Sequence, residues 1–164
     1  MSSSASEDQD ARQRYRHRHL RFGWWSMWFY LTLGIGLETM HGFKVGWYLG
    51  VNNETRRLMW TLAHAHGALL GLVHIAFALT LPALAPSFAR RQSVVSTLLV
   101  AASILLPGGF FLGGIVVFGG DPNPAVLLSP VGALFMLIAV FMTAAGIAPR
   151  TGRDGESDSS PASE

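Results

Sequence analysis

Apolar and polar positions divide the chain into four long apolar runs between two polar ends. The first is FGWWSMWFYLTLGIGLETM from Phe22 and the second LMWTLAHAHGALLGLVHIAFALTL from Leu58; a glycine-bearing run from Ser93 to Phe118 and a last one from Ala125 to Ala148 follow. A helix crosses the hydrocarbon core in about 20 residues at roughly 1.5 Å each, so every run is long enough to span. The predicted fold is all-α, a four-helix up-and-down transmembrane bundle with spans at about 22–41, 58–81, 93–118 and 125–148. Pro82 and Pro86 close the second span, Asp121-Pro122-Asn123-Pro124 makes a tight turn between the last two, and Pro149 follows the fourth. Residues 22–148 are thus one domain, flanked by a predicted disordered basic tail at 1–21 and a disordered tail at 149–164.

Composition moves the same way. Half of the residues are hydrophobic and only 13% are charged, the balance of an integral membrane protein. The chain has no cysteine, which excludes disulfides, thiolate metal sites and thiol nucleophiles. Its basic residues sit beside apolar runs: Arg12, Arg14, Arg16, Arg18 and Arg21 before the first, Arg90 and Arg91 between the second and third, and Arg150 and Arg153 after the last. Lys44, Arg56 and Arg57 are the basic residues on the other side. The positive-inside rule then places both termini and the middle loop in the cytoplasm of a multi-pass cell-membrane protein, and it explains the basic character without nucleic-acid binding. The first run is too long for a signal-peptide core and lacks a small-residue cleavage site, so it reads as a retained anchor.

Ionisable residues inside such runs need partners or an inward face. Glu38 and His41 lie one helical turn apart at the end of the first span, and His64 and His66 lie at the facing end of the second, so antiparallel neighbours bring them to one depth. Carboxylate and neutral imidazole suit zinc, iron or copper, which makes Glu38, His41, His64 and His66 candidate metal ligands. Near the interface the commoner role of the same groups is a snorkelling carboxylate and imidazoles bonded to carbonyls. His74 lies deeper, near the midplane, and needs a carbonyl or a hydroxyl such as Ser103 or Ser129. As a cofactor residue it would be a haem ligand or part of a proton relay, but the third and fourth spans hold no histidine to complete a bis-histidine haem site. Gly67 and Gly71, on one stripe with Ala63 and Ala78, and Gly109, Gly113 and Gly114 in the third run read as helix-packing positions. Phosphate-binding loops, nucleophile elbows and zinc-protease motifs are absent from the sequence.

Several segments, taken in order over about residues 22–148, resemble the transmembrane-protein-256-like group, or uncharacterised-domain-423 family, of small four-span membrane proteins. They are Met40-His41-Gly42-Phe43-Lys44, His66-Gly67-Ala68-Leu69-Leu70, Gly109-Phe110-Phe111-Leu112-Gly113-Gly114 and Ser129-Pro130-Val131-Gly132-Ala133. Glu38, His64 and His74 stand outside the family pattern, and Ala133 replaces its usual glycine. The resemblance implies a membrane-embedded helical fold and no known activity.

The expected function is non-enzymatic: an accessory, assembly or structural membrane subunit. Its partners would be the lipid bilayer and a membrane protein or a second copy meeting its Gly/Ala faces. The competing class is a metal- or haem-binding protein of redox or transport function built on the Glu/His cluster.

Overall fold

The computed structural model describes residues 2–50 and 53–147, with residues 2–8 as backbone alone. The protein is all-α, with four long helices: α1 (Ser2–Gly42), α3 (Glu54–Thr80), α4 (Ala89–Gly113) and α5 (Leu128–Ala145). A one-turn helix, α2 (Gly46–Leu49), bridges α1 and α3, and 3-10 turns at Leu81–Ala83, Pro86–Phe88 and Pro124–Leu127 carry the prolines. α4 ends five residues before the predicted limit of the third span. Past Gly114 the chain turns into a small hairpin, β1 (Val117–Phe118) with β2 (Asp121–Pro122), whose corner Gly119 and Gly120 have φ of 60° and 96°. A side chain at either corner position would be strained, so the glycines decide where the hairpin turns.

α3 and α4 form the central pair; α1 lies along α3 and α5 along α4. The α1/α3 pair is antiparallel with a continuous register. The Arg12 guanidinium donates to the carbonyls of Leu81, Leu84 and Ala85, His19 meets His74, Gly23 meets Gly71, Tyr30 lies over Gly67, and Gly34 faces His64. A Cβ on Gly71 would come 2.7 Å from Met27 Cγ and 3.0 Å from the Gly23 carbonyl oxygen, so glycine there is what lets the backbones approach. α4 and α5 use the same device. A Cβ on Gly109 would lie 2.6 Å from Ser129 N, and one on Gly132 2.5 Å from Leu106 N. Gly113 faces Val126, and Gly114 faces Met59 and Trp60.

The basic segment differs from its sequence expectation. Residues 12–21, predicted as part of a tail, continue α1 as helix, and three of them have partners: Arg12 on the end of α3, Tyr15 against the Phe77/Leu81/Val95/Leu99 cluster, and His19 fully buried. Composition made this stretch look tail-like. The groove between α3 and α4 supplies the partners that composition cannot show. The expected tail at 149–164 lies outside the described residues.

Arg12 brings a cation and paired N–H donors to the C-terminal end of α3, where carbonyls lack intrahelical partners. Arg12→Ala should lower stability in detergent by about 1–2 kcal/mol, read as a shift in thermal unfolding, whereas Arg14→Ala, at an exposed position, should be neutral. Equal effects would show that Arg12 acts only as surface charge.

Candidate functional site: a buried histidine pair

Three helices meet at two imidazoles. His19 comes from α1 and His74 from α3; both are fully buried, with ring centroids 4.8 Å apart and planes at 23°. Their Nδ1 atoms are 2.6 Å apart. α4 supplies the outer partners: Ser96 Oγ lies 2.8 Å from His19 Nε2, and Ser103 Oγ 2.9 Å from His74 Nε2. Ser103 in turn donates to the Leu99 carbonyl at 3.0 Å, which also lies 3.3 Å from His74 Nε2. Phe22 and Phe77 cover the rings. Every polar atom of both rings is bonded, the condition for holding two imidazoles in an apolar interior.

The proton positions follow from these partners. Leu99 O can only accept, and the Ser103 hydroxyl hydrogen points at it, so Ser103 Oγ accepts from His74 Nε2–H. His74 Nδ1 is then a lone pair. It accepts from His19 Nδ1–H, and His19 Nε2 accepts from Ser96. The neutral pair therefore has one arrangement that satisfies all contacts, with His19 and His74 in opposite tautomers.

This geometry bears directly on His74 as a cofactor residue. Of the partners the sequence offers, a carbonyl or the hydroxyl of Ser103 or Ser129, the Ser103 hydroxyl is the one beside His74 Nε2, together with the Leu99 carbonyl. The second histidine, missing from the third and fourth spans, stands on α1. An ion bonded to both facing nitrogens at roughly 2 Å each would hold them about 3.3 Å apart as tetrahedral ligands and about 4 Å apart as trans ligands; at 2.6 Å they bond each other, and the pair as placed does not fit a bridging metal or a haem iron.

The outer cluster is looser. Glu38, His41 and His64 line one pocket of about 220 Å3 together with Gly34, Leu37, Tyr48 and Thr61. His64 Nδ1 is committed to the Tyr30 carbonyl at 2.6 Å, while Glu38 and His41 are exposed. His66 points elsewhere, bonding the Leu62 carbonyl of its own helix at 2.8 Å and lying against Phe110 of α4. Among the described residues no three His, Asp or Glu side chains are placed to share a metal ion. The four candidate ligands thus separate into a three-residue pocket rim and a histidine on another face, because two positions along α3 turn the side chain by about 200°.

His19 is the residue that sequence reasoning missed. Its signal was present as a stripe at helical spacing, Arg12, Tyr15, His19, Gly23, Ser26, Tyr30, Gly34 and Leu37, all buried or half-buried. Ending the helix at Phe22 cut the stripe before its polar members. Comparison with protein-family models, with curated proteins and with solved structures gives no match. The positions carrying the family resemblance are accordingly those of a generic helical bundle of membrane type.

Proposed function

We propose that the protein is a multi-pass membrane subunit of structural or assembly function, held together by the histidine pair and the glycine contacts, with α5 as its partner-facing helix. One observation carries this reading. Three helical segments among the described residues, Glu54–Ala83, Pro86–Gly113 and Pro124–Ala145, are long and apolar enough to cross a membrane, and in the last only 17% of the apolar window is buried. α5 packs on α4 and leaves Leu134, Leu137, Val140 and Phe141 exposed. Such a surface is stable only in lipid or against another helix. The glycines resembling the transmembrane-protein-256-like family, Gly109 and Gly132, lie in the α4/α5 contact, so kinship with that family and a structural role make the same demand on them.

α1 completes the four-span reading although its outer half is less apolar than the other three. Its 22–41 segment carries Trp24, Trp25, Trp28 and Phe29, all exposed, as an interfacial aromatic belt, followed by exposed Leu31 and Ile35. With four crossings both ends of the chain share the cytoplasmic side. Cysteines introduced singly at Lys44 and Ser87 test the orientation of α3 in a chain that has none. A membrane-impermeant thiol reagent outside intact cells should label position 44 and leave 87 unlabelled; the reverse pattern would invert the topology.

The subunit role is tested by a photo-crosslinking residue at Phe141, with Leu72 on the exposed face of α3 as the reference position. A discrete protein adduct at 141 in native membranes, absent at 72, is expected. Lipid adducts alone at both positions would remove the partner from the proposal.

A further inference from the structure

We propose that His19 and His74 form a single-proton binding site: a pair that accepts one excess proton at His19 Nε2, keeping the proton between the two Nδ1 atoms, without losing a hydrogen bond, and that rejects a second. The claim rests on the geometry of five groups and is independent of the subunit reading. In the neutral arrangement one proton lies between the Nδ1 atoms at 2.6 Å, His74 Nε2–H points at Ser103, and Ser96 donates to His19 Nε2. The site open to another proton is therefore His19 Nε2. When it is filled, the Ser96 hydroxyl turns from donor to acceptor and the 2.8 Å contact is kept. The product is an imidazolium bonded to an imidazole, with Nε2–H donors on Ser96 at one end and on Ser103 at the other. Charge-assisted bonds of this kind are stronger than neutral ones.

A second proton has no place. Both Nδ1 atoms would then carry hydrogens and point them at each other across a gap fitted to one. The rings would have to separate, and with them α1 from α3.

The surroundings bound the response. From α1, Arg18 is the neighbouring cation in sequence and Tyr15 stands one turn away; α3 contributes Phe77 and no charge at this level. From α4 the facing groups are Ser96, Ser103 and, one turn before Ser96, Gln92, buried with its Nε2 unpartnered. No carboxylate faces the pair among the described residues, so an added proton is stabilised by the hydroxyls and the facing imidazole alone. Gln92 extends the polar stripe of α4 from Ser96 towards the Arg90/Arg91 end of the helix. That gives the proton a polar approach from one side, and Leu70 and Leu106, both buried, lie beyond Ser103. The site is a proton store rather than a channel.

The test uses the full chain in nanodiscs with 15N-labelled histidine. At neutral pH the spectrum should show His19 as the Nδ1–H tautomer and His74 as the Nε2–H tautomer, with a scalar coupling between the two Nδ1 nuclei across the hydrogen bond. On acidification the pair should take up one proton while the coupling persists and the helical signal is unchanged. Ser96→Ala, which removes the hydroxyl that must become an acceptor, should keep the fold and the coupling but move the uptake to lower pH. Two separate one-proton titrations without coupling would overturn the proposal. Loss of helix before any uptake, or a Ser96→Ala profile identical to the parent, would overturn it as well.

Discussion

His74→Ala should destabilise the protein by about 3–5 kcal/mol, the largest single-residue effect expected outside the glycines. The loss has two sources. Removing the ring opens a cavity at a site with no solvent access, and it strips the partner from His19 Nδ1 while leaving Ser103 with one bond fewer. A buried donor without an acceptor carries its full desolvation cost, about 1–3 kcal/mol. The double substitution His19→Leu with His74→Leu separates the two sources. Leucine fills much of the volume and leaves no orphaned ring nitrogen, so the double variant should be more stable than His74→Ala and more stable than His74→Leu alone. Denaturation in a mixed-micelle series, read by helical circular dichroism, measures all of these. A double variant whose loss equals the sum of the two single losses would show that the rings are not coupled. If the double variant matches the parent, the pair is retained for something other than stability, which is what a proton site requires.

Gly67→Leu should separate α1 from α3 and cost at least the 1–3 kcal/mol typical of overpacking, roughly the upper end or beyond because the obstacle is an aromatic ring. A Cβ at Gly67 would run into the Tyr30 ring at its Cγ, so turning the ring about its own axis cannot clear it. Gly71→Leu meets Met27 Cγ at 2.7 Å and backbone at 3.0 Å and should behave alike. Gly36 supplies the control. It lies on α1 with nothing within 4 Å of its would-be Cβ, so Gly36→Leu should be neutral or mildly stabilising through helix propensity. Parent-like thermal stability of Gly67→Leu in detergent would place that face of α3 toward lipid.

Number and type of the long helices were legible in the sequence because they follow from one quantity, the length of apolar runs between polar and proline-rich breaks. The packing role proposed for Gly67 and Gly71 rests on a related reason: a small-residue stripe at helical spacing has few other uses in an apolar helix. His74 announced itself as an imidazole too deep to stand alone, and Ser103 was among its named partners. Three things needed the tertiary structure. Residues 12–21 read as tail because arginine-rich composition carries no information about a groove two helices away, and only packing on α3 and α4 turns that stretch into helix with Arg12 and His19 in place. The Glu38/His41/His64/His66 cluster looked like one site because sequence gives depth but not azimuth, and the fold sends His66 to α4 while His64 bonds the Tyr30 carbonyl. The histidine pair joins residues 55 positions apart and takes its hydroxyls from a third helix. Helix content is local and is written in each run by itself. Which two imidazoles share a proton depends on how three runs are rotated and registered against each other, and no one of them contains that information.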